Sequence, residues 1–188
     1  MGFERVLGMA DAENRRRAED RSDPVVRGVE PFEVFYRREY EEAVRLALVL
    51  SGSRWGAEDL AQEAFIEAHR RWDEIGRYES PGGWVRRVIA NRSVSLYRRR
   101  IAEGRALVKL LAGSRHALPH LETESVEVWD KVRKLPHRQA QVIALTYLED
   151  LSLEEVSEVL GIAVPTVGTH LQRGRRALAR SLGVSEVT

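Results

Sequence analysis

The sequence contains no cysteine, which excludes a disulfide framework, a thiolate zinc site and a cysteine nucleophile, and fits a reducing compartment. Lysine is almost as scarce. Of 30 basic residues only Lys109, Lys131 and Lys134 are lysine; the rest are arginine, whose guanidinium forks to phosphate and guanine as an ammonium cannot. Long apolar runs are missing too: the longest candidate, Val44 to Leu50, is short and interrupted by Arg45, against the roughly 18 residues a membrane span needs. Glu4, Arg5, Asp11 and Glu13 stand where a secretory signal would need an apolar stretch, so a cytoplasmic location is expected. What remains is an ordinary soluble composition, 188 residues with 43% hydrophobic and 31% charged. At roughly 100 to 200 residues per domain this is one medium domain or two small ones.

The chain also lacks net charge, at +1, which taken alone argues against a polyanionic partner. The distribution reverses that inference. From Pro31 to Gly76 six basic residues face ten acidic ones. From Arg77 to Arg100 seven arginines (77, 86, 87, 92, 98, 99, 100) face Glu79 alone, and from Val164 onward Arg173, Arg175, Arg176 and Arg180 face only Glu186. The near-neutral total hides one acidic surface and two basic ones, and local basic stripes are what nucleic acid responds to.

Residues 1 to 29 are rich in charge and poor in large apolar side chains, and are expected to form a mobile arm. From Phe32, the positions Phe35, Tyr36, Tyr40, Val44 and Leu48 recur at three and four residues, one buried helical stripe that Ser51-Gly52-Ser53 ends. A second helix is expected over 57 to 72, with Leu60, Ala61, Ala64, Phe65, Ala68 and Trp72 inward and Glu58, Asp59, Gln62, Glu63 and Glu67 outward. A loop from Asp73 to Gly83 precedes a third helix, which runs from Trp84 to Arg100. Residues 101 to 123 have weak periodicity and form a linker. Four helical stretches follow, at about 124–135, 138–148, 153–160 and 165–182. No segment shows convincing β alternation, so the fold class is all-α: two small helical domains, residues 30–100 and 124–184, joined by the linker. Units of 60 to 70 residues lie near the lower limit for independent folding, which suggests that both are stabilised by docking on a partner.

The strongest local signal runs from Leu151 to Arg180. Ser152 with Glu155 three residues later is a capping box, Gly161 supplies a left-handed stop, and Pro165 suits the first turn of the next helix. A turn this short is that of a helix-turn-helix. In its second helix Val167, Leu171 and Leu178 point inward, leaving Thr166, Thr169, His170, Arg173 and Arg176 on or near the outer face. The N-terminal part of such a helix reaches base edges while its arginine-rich end holds phosphates. Gly168 lies beside these residues, where a missing side chain allows close approach.

The whole arrangement resembles a bacterial RNA polymerase sigma factor of the sigma-70 family, of the extracytoplasmic-function (ECF, group 4) type. The residues that carry the resemblance are Ala57-Glu58-Asp59-Leu60-Ala61-Gln62-Glu63-Ala64-Phe65 with Trp72, and Pro81-Gly82-Gly83-Trp84-Val85 with Asn91 and Arg98 to Arg100. The C-terminal half adds Leu135-Pro136-His137-Arg138-Gln139, Tyr147-Leu148-Glu149-Asp150-Leu151-Ser152 and Thr166-Val167-Gly168-Thr169-His170-Leu171. The resemblance implies two helical domains, regions 2 and 4, on a flexible linker. It implies that Glu58, Asp59, Gln62 and Glu63 dock on the clamp helices of the polymerase β′ subunit, and a regular acidic face does suit a basic partner. Arg77, Trp84, Arg86, Arg87, Asn91, Arg92, Ser95, Arg98 and Arg99, with Tyr97, would bind the minus-10 element and capture an unstacked base. Pro165, Thr166, Gly168, Thr169, His170, Arg173 and Arg176 would read minus-35 as duplex, while other helices of region 4 touch the β flap. Ser95 departs from the aspartate frequent at that place, which bears on minus-10 preference. An anti-sigma factor is a further partner that the resemblance suggests, and no cofactor is implied.

Enzyme chemistry finds no support: G-x-S-x-G, Walker A and H-E-x-x-H are all absent. His116 and His120 have a helical metal spacing but lie in the linker with no third ligand, and no metal site is expected. The competing readings are a helix-turn-helix regulator that binds operators without polymerase, and a pure interaction module. The first leaves the acidic helix and the basic loop without a role.

Overall fold

The structure, a computed structural model, describes the backbone of residues 29–107 and 123–183 and the side chains of 29–96 and 127–183. The expected arm, except for its last residue, falls outside the described residues, as do His116 and His120. Every regular element among the described residues is a helix.

Helix α1 (Phe32–Ser51) stops where Gly52 turns left-handed, at φ 69°, and donates its N–H to the Leu48 carbonyl. A residue without Cβ takes that conformation freely. Ser53 then starts α2 (Arg54–Arg70), its hydroxyl accepting from the Gly56 N–H at 3.2 Å. The helix begins three residues ahead of the apolar stripe because its cap, not its first buried side chain, sets the start. The segment expected as loop contains a short helix, α3 (Trp72–Ile75), and already at Pro81 it gives way to α4 (Pro81–Leu107). There Ser80 Oγ accepts from the Gly83 N–H at 3.0 Å, and proline occupies a first turn where no amide hydrogen is needed. Helix α4 does not end at Arg100 but continues to Leu107, through a stretch of good helix formers in which Gly104 is the one weak position. The C-terminal half is α5 (Thr123–Val132), α6 (His137–Tyr147), α7 (Leu153–Leu160) and α8 (Val164–Leu182).

In the N-terminal half an aromatic cluster closes α1 on α2 and α3. The Phe35 and Trp72 rings lie 4.6 Å apart, and the Trp72 indole N–H donates to the Glu30 carbonyl at 2.9 Å. In the C-terminal half Val132, Val142, Leu145, Val156, Val167 and Leu178 are buried between α5, α6, α7 and α8. The two cores are continuous: α6 rests against α1 and α4, and α7 packs on α4. Each half therefore covers apolar surface of the other, which offsets the small core of either unit alone.

Candidate nucleic-acid interface

The helix-turn-helix is built from α7 and α8. Ser152 Oγ accepts from the Glu155 N–H at 3.2 Å while the Glu155 carboxylate accepts from the Ser152 N–H at 2.9 Å. At the other end of α7, Gly161 is left-handed at φ 62°. The Ser157 hydroxyl donates to the Ile162 carbonyl at 2.7 Å, which pins the turn. Pro165 lies in the first turn of α8. On α8, Val167, Gly174 and Leu178 are buried, whereas Pro165, Thr166, Thr169, Arg173 and Arg176 are exposed. Thr169 donates to the Pro165 carbonyl at 2.9 Å, which holds its oxygen toward the helix start. A Cβ at Gly168 would meet nothing within 4 Å, so this glycine belongs to the open face. His170 is half-buried and turns partly inward; burial, with Arg138 and Arg173 nearby, lowers its pKa. Of the seven residues assigned to this face it is the one least free to reach a ligand.

The basic segment divides in a way its composition does not reveal. Arg77, Arg87, Asn91 and Ser95 are exposed, and Trp84 is half-buried with the Arg71 guanidinium 5.7 Å from its ring. Trp84, Arg87, Asn91 and Ser95 follow one another at three and four residues, so they share one face of α4. Arg86 and Arg92 point elsewhere. Arg92 bonds to Glu63 and, at 2.6 Å, to Glu67 of α2. Arg86 is largely buried and reaches Glu149 at 2.5 Å, with Glu39 and Glu42 at 3.6 and 3.5 Å. The side chains of Tyr97, Arg98 and Arg99 lie outside the described ones.

On α2, Asp59, Gln62 and Glu63 are exposed, and Glu58 is half-buried and bonds to Arg54 at 2.9 Å. Two apolar side chains share this face: Trp55, 86% exposed, and Ile66, 52% exposed. Trp55, Asp59, Gln62 and Ile66 follow at four, three and four residues, the seam that a second helix packs against. Sequence reading for inward apolar residues missed them, although the same heptad count applied to the outer face finds them.

Residues 35–102 match the family model described as Sigma-70 region 2, and residues 125–178 match Sigma-70, region 4. The ECF RNA polymerase sigma factor SigW of Bacillus subtilis (strain 168) is 31% identical over 157 residues, 76% of this chain and 83% of that protein. The chain belongs to the sigma-70 family, as an ECF sigma factor. It therefore takes part in promoter-specific transcription initiation by RNA polymerase, a regulatory and not a catalytic role. The sigma factor is also similar to the ECF factor SigM of Mycobacterium tuberculosis (strain H37Rv), at 25% identity over 97% of this chain and 93% of that one. Its fold is shared with the sigma factor RpoE of Bartonella quintana, solved with the anti-sigma factor NepR, at TM-score 0.66 and 23% identity over 82% of this chain and 98% of that one. It is shared too with CnrH, solved with the cytosolic domain of CnrY, at TM-score 0.58 and 21% identity over 95% of each chain.

Between regions 2 and 4 of this sigma factor lies a polar seam that sequence reading did not find. Fully buried Gln141 of α6 donates to the Ala90 carbonyl of α4 at 2.6 Å, and its side-chain oxygen accepts from Arg138 at 3.0 Å. Ser93 donates to the same Ala90 carbonyl at 2.7 Å and lies 3.1 Å from His137 Nε2. Burial, and then Arg138, push the His137 imidazole down to about 4. Glu149 has only 2% of its side chain exposed. Burial raises its pKa, and Arg86 opposes the rise. Among the described residues no helix is long and apolar enough to cross a membrane.

Proposed function

We propose that this sigma factor binds core RNA polymerase through the outer face of α2 and reads minus-35 duplex through the N-terminal half of α8. On the same reading it engages opened minus-10 DNA through Arg77 and the Trp84, Arg87, Asn91 and Ser95 face of α4. The observation that carries this reading is the separation of surfaces: a seam of Trp55, Asp59, Gln62 and Ile66 suited to a helical partner, and two basic faces suited to DNA. Acidic side chains around the seam steer a basic partner, and its two apolar side chains supply area to bury. Arg173 and Arg176 suit phosphate or guanine beside Thr166 and Thr169. Domain limits of 30–107 and 123–184 go with this assignment, as does a site of action in the cytoplasm. A protein of the anti-sigma class is proposed as its regulator, in line with the partner of the solved RpoE neighbour.

The test is run-off transcription with core polymerase, with and without the full chain, on a library of genomic fragments. New transcripts from a subset of fragments are expected only when the chain is present. Equal initiation in both reactions would refute the reading, and tight operator binding without polymerase would replace it with a stand-alone regulator.

A further inference from the structure

We propose that the outer face of α2 is also a self-pairing surface: in the free chain two copies associate antiparallel, about a twofold axis, through Trp55, Asp59, Gln62 and Ile66. The pairing stands on the geometry of α2 alone. That it covers the docking face for core polymerase rests on the reading given above.

The four positions follow one another at four, three and four residues, and their chemistry is palindromic: apolar, acceptor, donor, apolar. Laid antiparallel with the axis between Leu60 and Ala61, the face meets itself in matched layers. Trp55 shares a layer with Ile66 of the second copy, and Asp59 shares one with Gln62 of the second copy. The axis repeats both layers, as an isologous contact requires. Each Gln62 amide then donates to an Asp59 carboxylate, a charge-assisted bond made twice. One register satisfies all four positions. A parallel pair would instead set Asp59 against its own copy and leave the Gln62 amides without a charged acceptor.

Charge decides whether an acidic face can meet itself. By composition it should not, since Glu58, Asp59, Glu63 and Glu67 all lie on this helix. Glu58 flanks the seam on one side and Glu63 on the other, and across the axis each comes near its own copy. Both carboxylates are already matched within the chain. Glu58 accepts from Arg54 at 2.9 Å, and Arg92 reaches over from α4 to Glu63 and, at 2.6 Å, to Glu67. Among the described residues Asp59 is the one of these four acids with no basic partner, and it is the one that a Gln62 amide of the second copy meets. Arg92 thus has a use that its place in the basic segment does not suggest: it neutralises the flank of α2.

Trp55 and Ile66 supply the apolar area. A tryptophan covers about 150–250 Å² when buried, and Trp55 is almost wholly open. A single helix pair nevertheless stays at the low end of specific interfaces, below about 1,200 Å² in total. The dimer is therefore reversible and forms where free chain accumulates.

The experiment uses the full chain. Sedimentation velocity over a concentration series should show wild type passing from monomer to dimer and no further, since a twofold contact closes on itself. Trp55→Ala should weaken the dimer by about tenfold or more, as expected for a central aromatic anchor. Arg92→Gln leaves Glu63 and Glu67 uncompensated, so it should weaken the dimer at low salt and recover at high salt, where exposed like charges are screened. A folding defect, which circular dichroism melts would register, gives no such recovery. The register is read by disulfide cross-linking, for which the native sequence provides no cysteine background. A mixture of Trp55→Cys and Ile66→Cys chains should cross-link on oxidation. Neither chain should do so alone, because equivalent residues of the two copies lie about 16 Å apart along the axis at roughly 1.5 Å per residue. A wild type that stays monomeric throughout, a dimer indifferent to Trp55→Ala, or cross-linking of either variant alone as readily as of the mixture would overturn the pairing. These readouts contain no polymerase, so they decide the pairing whatever the run-off assay shows. Core polymerase titrated into the dimer should bind the chain as a monomer, and polymerase that binds the dimer intact would overturn the masking of its docking face.

Discussion

Gly174 of α8 and Ile143 of α6 touch so closely that a Cβ at position 174 would come within 3.0 Å of Ile143 Cγ1. The recognition helix lies on α6 at a position that has no side chain. Ile143 is itself buried and has little room to give, so Gly174→Ala should cost about 1–3 kcal/mol for overpacking a filled core, less the roughly 1 kcal/mol that alanine gains in helix propensity. Gly168→Ala, facing open space one and a half turns earlier, should instead stabilise by about 1 kcal/mol through helix propensity. Denaturant melts of the two variants check both signs. A destabilised Gly168→Ala would mean that the outer face of α8 is already covered.

The capping box fixes where α7 starts and hence how it presents the turn to α8. Ser152→Ala removes the acceptor for the Glu155 N–H and should lower stability by about 1 kcal/mol. Thermal unfolding with near-ultraviolet detection measures it, and an unchanged midpoint would show that Glu155 alone suffices.

Trp55 is 86% exposed, so Trp55→Ala should leave the unfolding free energy within about 0.5 kcal/mol of wild type. Its affinity for core polymerase should fall roughly tenfold or more, as expected for a central aromatic anchor. Charge reversal at Asp59 and Glu63 should weaken the same binding and leave duplex binding by α8 unchanged. A pull-down titration in which Trp55→Ala retains full affinity would remove the aromatic from the docking face.

The pH dependence of stability has a sign that can be worked out at His137. Its imidazole is held down to about 4 in the folded chain, against about 6.5 when unfolded. Between those values the unfolded chain binds more protons, so the stability His137 leaves intact above about 6.5 is lost as pH falls through this window, and the effect levels off below about 4. Ser93 lies 3.1 Å from the His137 ring and Arg138 is its charged neighbour. Glu149, whose pKa burial raises, acts in the opposite sense. The comparison is therefore between wild type and His137→Asn, in which Glu149 contributes equally. Denaturant melts from about pH 7 to pH 4 should show an acid-induced loss of stability in wild type that the variant lacks. Parallel curves would exclude His137 from the seam's pH response.

The elements that can be read from the sequence are those fixed by local chemistry. Gly52 and Gly161 stop helices by taking up left-handed backbone, and Ser152 with Glu155 starts one, each within a few residues of chain. The two-region organisation follows from periodicity and motif order. Arg86 could not be told from Arg87 because its partner lies 63 residues away, and no local pattern encodes a long-range pair. Gln141 reads as an ordinary polar break in the apolar run of α6 until the Ala90 carbonyl is placed against it. His170 looked outward by spacing and sits half-buried, since a ring beside the inward stripe turns toward whatever space packing leaves.

Helix α4 carries its own consequence. It runs to Leu107 and α5 begins at Thr123, so helix occupies both ends of the stretch 101–123. At roughly 1.5 Å per residue, the helix beyond Arg100 carries the chain about 10 Å farther along the axis of α4, so a rigid rod of region 2 sets the direction in which the chain leaves it.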